Sequence, residues 1–114
     1  INFKATHEYF ETLYDGISAS LDSVAEIIKM HEGTPLASLK TYLELSTIEE
    51  LPSVEVDNKT SLKIVLEDFT KMKSLVEEIR KEADKEDLYD IVTLVEGELE
   101  QYNKSIWFIK SMLK

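Results

Sequence analysis

Between Phe3 and Ile28 a large apolar or aromatic side chain, or a histidine, returns at steps of four and three: Phe3, His7, Phe10, Tyr14, Ile17, Leu21, Val24, Ile28. That alternation keeps one stripe on one side of an α-helix and fits no strand, where the period is two. The same stepping recurs in Leu62, Val65, Leu66, Phe69, Met72, Val76 and Ile79. It recurs again in Leu88, Ile91, Val95, Leu99, Tyr102, Ile106, Ile109 and Leu113. A chain of 114 residues with three such stretches and only three Gly and two Pro is predicted to be one all-α domain over 1–114.

The breaks between the stretches are equally legible. The first helix is expected to fade at Met30–Glu32 and stop at Gly33. Thr34 and Pro35 read as an N-cap and first helical position, opening a short helix to about Leu45. Ser46 to Glu49 has capping-box spacing, and Leu51 to Asp57 reads as a connection. Asn58 or Thr60 is expected to cap the second long helix, and Asp84 the third. Trp107 is expected to pack in the core of the third. Helices of about 25 residues would be roughly 35–40 Å long, suited to an antiparallel bundle. The connection between the first two is long enough to cross the bundle, so these two could run parallel, as in bundles with one long crossover. Three helices leave one side open. Ile1 rather than Met opens the chain, and a fourth, N-terminal helix is the expected completion.

Composition narrows the chemistry. Without cysteine, any metal must be held by oxygen and imidazole nitrogen. No apolar run is long enough to span a membrane, and no signal peptide is visible. A net charge of −10 attracts cations and opposes binding to nucleic-acid phosphates, although acidity alone also serves solubility. There is no His-Glu-x-x-His, no Glu-x-x-His and no Gly-rich phosphate loop. Zincin chemistry and a di-iron site built within one chain are thereby ruled out.

The first helix remains. His7 and Glu11 are four apart, as are Asp22 and Glu26. Glu11 lies about 40° from His7 around the axis, Asp22 about 60° and Glu26 about 100°. Both pairs suit Fe²⁺, Mn²⁺ or Zn²⁺. His7 and Asp22 are roughly 22 Å apart along the axis, so one ion cannot use both pairs of one helix. A second copy lying antiparallel across a two-fold axis would create two identical shared sites. The midpoint falls between Gly16 and Ile17, where a glycine would allow close approach. Spaced carboxylates on a helix are also commonly just solvated, and a lone histidine on an apolar face is commonly a core residue.

Asn2–Glu11 (NFKATHEYFE) resembles the first signature of the Dps miniferritins, and Leu21–Glu26 (LDSVAE) the second, with the family's spacing of 14 residues between His7 and Asp22. Gly33–Pro35, Leu39–Leu43 (LKTYL) and Lys104–Lys110 (KSIWFIK) resemble further family elements in order. The resemblance implies a ferritin-like bundle that assembles as a homo-oligomer, a hollow dodecamer in the bacterial cytoplasm. It implies oxidation of Fe(II), preferably by hydrogen peroxide, with storage of the ferric product and protection from oxidative stress. The implied inter-subunit iron site, which could also take Zn²⁺ or Mn²⁺, pairs His7 and Glu11 with Asp22 and Glu26 of the partner. Asp84, Glu86, Asp87 and Asp90 become candidates for an iron-entry pore, with dipole-favoured acid at a helix start as the alternative.

Four departures qualify this. The helix that supplies another site histidine in the family is absent. Ile27 stands where arginine is usual. His31 and Glu32 replace an apolar residue and a glycine, and His31 reads as a cation near a helix C-terminus rather than a ligand. Glu86–Asp90 (EDLYD) departs from the usual Gly-Asp pair. The basic tail through which the family usually binds DNA is not seen, so DNA binding is not carried over. A shell that kept the fold and lost the metal, or a helical adaptor, are the competing expectations.

Overall fold

A computed structural model of the chain describes residues 3–34, 36–39 and 58–114. Three long helices dominate: α1 (Phe3–Lys29), α2 (Asn58–Lys85) and α3 (Tyr89–Leu113). Their lengths, 27, 28 and 25 residues, match the expectation from the apolar stepping. Residues 36–39 form a further helical turn. The remainder of that expected crossover helix, the Ser46–Glu49 capping box and the Leu51–Asp57 connection lie outside the described residues.

The stripes bury as their spacing dictates. Phe10, Ile17, Val24 and Ile28 of α1 meet Val65, Phe69, Val76 and Ile79 of α2 and Ile91, Val95, Tyr102 and Ile109 of α3 in one core. Each such side chain contributes on the order of 1.5–3 kcal/mol by leaving water. Phe69 joins all three helices, its ring lying edge-on to Tyr14 at 6.5 Å and to Tyr102 at 6.0 Å. Truncating it to alanine would cost about 3–5 kcal/mol.

Pairings along the helices define direction. From α1 to α3 they run Tyr9 to Phe108, Ser20 to Tyr102 and His31 to Asp90, so these two are antiparallel. A short turn makes α2 and α3 antiparallel as well, and they form the tightest pair. Therefore α1 and α2 run parallel, as the long connection between them allows. In a square of four helices with antiparallel neighbours, parallel helices occupy a diagonal. Here α3 takes one corner beside both α1 and α2, and no described helix takes the other.

Helix ends follow local chemistry. Gly33 has φ +94°, a left-handed conformation that glycine adopts freely, four residues beyond Lys29, the last residue of α1. Thr34 closes the turn, its hydroxyl donating to the His31 carbonyl at 2.8 Å and its own carbonyl accepting from Ala37 N–H.

Two expectations are corrected at the far end of α2 and on α3. Asp84 does not cap α3; it lies inside α2, and Leu88 occupies the N-cap position without a side-chain cap. The apolar stripe continues through the acidic run at the fully buried Ala83, four residues after Ile79, and carries the helix to Lys85. What stops it is Asp87, at φ 58°. Leu88 N–H reaches the Ala83 carbonyl and Asp87 N–H reaches that of Asp84, the paired bonds of a Schellman motif. Trp107 is not core but 69% exposed. It lies about 140° around the helix from Tyr102, off the buried stripe.

Candidate metal centre

Helical geometry on α1 brings one predicted pair together. His7 Nε2 lies 3.8 Å from Glu11 Oε1, one turn on, and both side chains are open to solvent. A divalent ion with bonds of about 2 Å could bridge such a pair after small rotamer changes. Asp22 and Glu26 are also exposed, three to four turns further along. One chain does not bring the two pairs together. Among the described residues no group of three or more His, Asp or Glu side chains could hold a metal ion.

The surface between the pairs differs from the sequence expectation in one respect. Gly16 stands near mid-height, and a Cβ there would meet nothing within 4 Å. However, it lies about 180° around the helix from His7, so its small size does not open the face carrying the four residues. Ser18 lies about 20° from His7 and Asp15 about 80°, both near the midpoint. Both are exposed. The small residue at the centre of that face is therefore Ser18, which helical-wheel arithmetic could have found.

Ile27 fills its position by apolar packing, partly buried against the core. The four pore candidates cluster at one end. Asp84 is in the last turn of α2, Glu86 and Asp87 follow it, and Asp90 opens α3, all exposed. Two of them are engaged: Asp87 accepts from the Tyr89 hydroxyl at 3.1 Å, and Asp90 Oδ2 lies 2.9 Å from His31 Nε2. His31 is thus tied to α3 just past the C-terminus of α1. The hydrogen bond from His31 lowers the Asp90 carboxyl pKa, aided by backbone N–H groups at the start of α3 and opposed by slight desolvation.

The family described as Ferritin-like domain matches residues 1–114. The DNA protection during starvation protein of Helicobacter pylori is 28% identical over 98% of this chain and 78% of its own length. DNA protection during starvation protein 2 of Bacillus anthracis is 33% identical over 97% of this chain and 75% of its own. The corresponding Brevibacillus brevis protein is 30% identical over 99% and 75%. The chain belongs to the Dps family of ferritin-like proteins. Its all-α bundle, with α1 and α2 parallel across a long connection, is the ferritin-like arrangement. No described helix of this Dps-family chain is long and apolar enough to cross a membrane.

Proposed function

We propose that this chain oxidises Fe(II) and stores the ferric product, acting in oxidative-stress defence through a site that two copies share. The observation that carries the reading is the paired arrangement on α1. An imidazole–carboxylate pair and a carboxylate pair both face solvent, yet among the described residues one copy offers no three-ligand group. An antiparallel second α1 would bring His7 and Glu11 of one copy to Asp22 and Glu26 of the other, twice per dimer. Relatives named for DNA protection during starvation support a stress role.

In that site iron is the substrate. The imidazole nitrogen of His7 supplies a borderline ligand, and the carboxylates of Glu11, Asp22 and Glu26 supply hard oxygen suited to the ferric product. Their negative charge favours the more highly charged ion and so assists loss of the electron. Hydrogen peroxide is the proposed oxidant and a hollow dodecamer the proposed store, in a bacterial cytoplasm. Zn²⁺ or Mn²⁺ would compete for the same donors. The acidic group at the α2–α3 turn would draw cations towards the shell. DNA binding is not part of this reading, since the net charge is −10.

Rapid mixing of the protein with Fe(II) and peroxide tests it. The wild type should consume Fe(II) much faster than an Asp22→Ala/Glu26→Ala variant. Equal rates would instead favour a shell without chemistry, a reading to which Ile27 in place of the family's usual arginine lends weight.

A further inference from the structure

Tyr14 stands where the solvent-facing side of α1 turns into the buried stripe. It is three residues beyond Glu11 and seven beyond His7, about 10 Å along the axis from the latter. Its hydroxyl donates a 2.6 Å hydrogen bond to Asp68 Oδ2 on α2, partly buried. That length is typical of a charge-assisted O–H···O⁻ bond. Desolvation, then the hydrogen bond and charge of Asp68, push the phenol pKa well up, so the pair is a neutral phenol against a carboxylate. Its ring abuts Phe69, which in turn abuts Tyr102.

A phenol releases an electron far more readily when its proton leaves in the same event. Asp68 already holds that proton in a bond, so the transfer needs no rearrangement. The other described tyrosines lack this combination. Tyr102 shares its hydrogen bond with Ser20, and Tyr89 meets Asp87 at the exposed surface at a longer distance.

We propose that the Tyr14–Asp68 pair is a proton-coupled electron donor beside the iron site, supplying the second electron when peroxide meets a single Fe(II). Fe(II) gives one electron and becomes Fe(III). Tyr14 gives the other and becomes a neutral phenoxyl radical, its proton passing to Asp68. Peroxide takes both electrons and two protons from solvent, its O–O bond breaks, and two waters form. Hydroxyl radical is thereby not released. The inference rests on the iron-oxidising reading for its oxidant.

The test is rapid-freeze electron paramagnetic resonance after mixing with peroxide and limiting Fe(II), with spin trapping in parallel. The wild type should give a tyrosyl signal. Tyr14→Phe, which keeps the ring packing, should reduce it to background and raise trapped hydroxyl radical several-fold. Asp68→Asn, which keeps a polar group but cannot take the proton, should cut the signal several-fold. An undiminished signal in Tyr14→Phe overturns the proposal. If no variant oxidises iron, the function proposed above fails instead. The pair is then judged with a flash-generated one-electron oxidant in a Trp107→Phe background, where a signal unaffected by Tyr14→Phe overturns it.

Discussion

The imidazole of His31, just beyond α1, lies 2.9 Å from the carboxylate of Asp90 in the first turn of α3. The contact joins residues 59 apart in sequence. Because it lowers the Asp90 pKa in the folded state, its stabilisation is fully present above the unfolded value of about 3.9. It is lost as pH falls through the lowered folded pKa. In His31→Ala, the Asp90 midpoint followed by carboxyl NMR should rise towards the ordinary aspartate value. Both side chains are partly exposed, so the stability lost near neutrality should stay below about 1 kcal/mol.

Ser20 and Tyr102 share a buried 2.9 Å hydrogen bond between α1 and α3. Tyr102→Phe strands the Ser20 hydroxyl and should cost about 1–3 kcal/mol. Ser20→Ala/Tyr102→Phe, with both polar groups gone, should cost less than the sum of the single variants. Urea denaturation of the four proteins measures this coupling, and strict additivity would contradict it.

At the α2 terminus Asp87 occupies the left-handed position where glycine is preferred. Asp87→Gly should stabilise by about 0.5–1 kcal/mol. The Tyr89 hydroxyl loses an exposed partner in the process, which matters little. A thermal melt that shifts down would contradict the account.

A shared site makes a mixing experiment decisive. His7→Ala and Asp22→Ala/Glu26→Ala subunits should each be inactive alone. Refolded together, every mixed dimer holds one intact site, so about one quarter of wild-type Fe(II) oxidation should return by statistical pairing at a two-fold. Zero recovery would place both pairs outside a common site.

The face used for pairing is also testable. Ser18→Arg, near the midpoint of that face, should weaken the dimer in sedimentation velocity. Gly16→Ala, on the other side of α1 with open space for its Cβ, should leave the dimer intact and stabilise the helix by about 0.5–1 kcal/mol.

The stripes Phe10–Ile28, Leu62–Ile79 and Ile91–Ile109 were readable because burial follows the 3.6-residue period directly. Trp107 has the aromatic character of a core residue, but its angle around α3 puts it off the Tyr102–Ile109 stripe and in solvent. Asp84 lies in an acidic run that resembles a helix start, whereas the buried Ala83 beside it continues the core of α2. Both ligand pairs were visible as i,i+4 spacings, but their meeting depends on a second copy, which one helix cannot reveal. Tyr14–Asp68 and Ser20–Tyr102, 54 and 82 residues apart, arise only once the helices pack.

Two helices pointing one way against one pointing back do not cancel their peptide dipoles. The described bundle keeps roughly one helix's worth, about half a positive charge at the end holding the starts of α1 and α2 and half a negative charge at the other. The last turns of α1 and α2 carry Lys29 and Lys85 at that negative pole, while Asp90 answers the positive start of α3 beside them. His31 stands at that junction, so one ring ties the negative end of α1 to the acid that answers the positive start of α3.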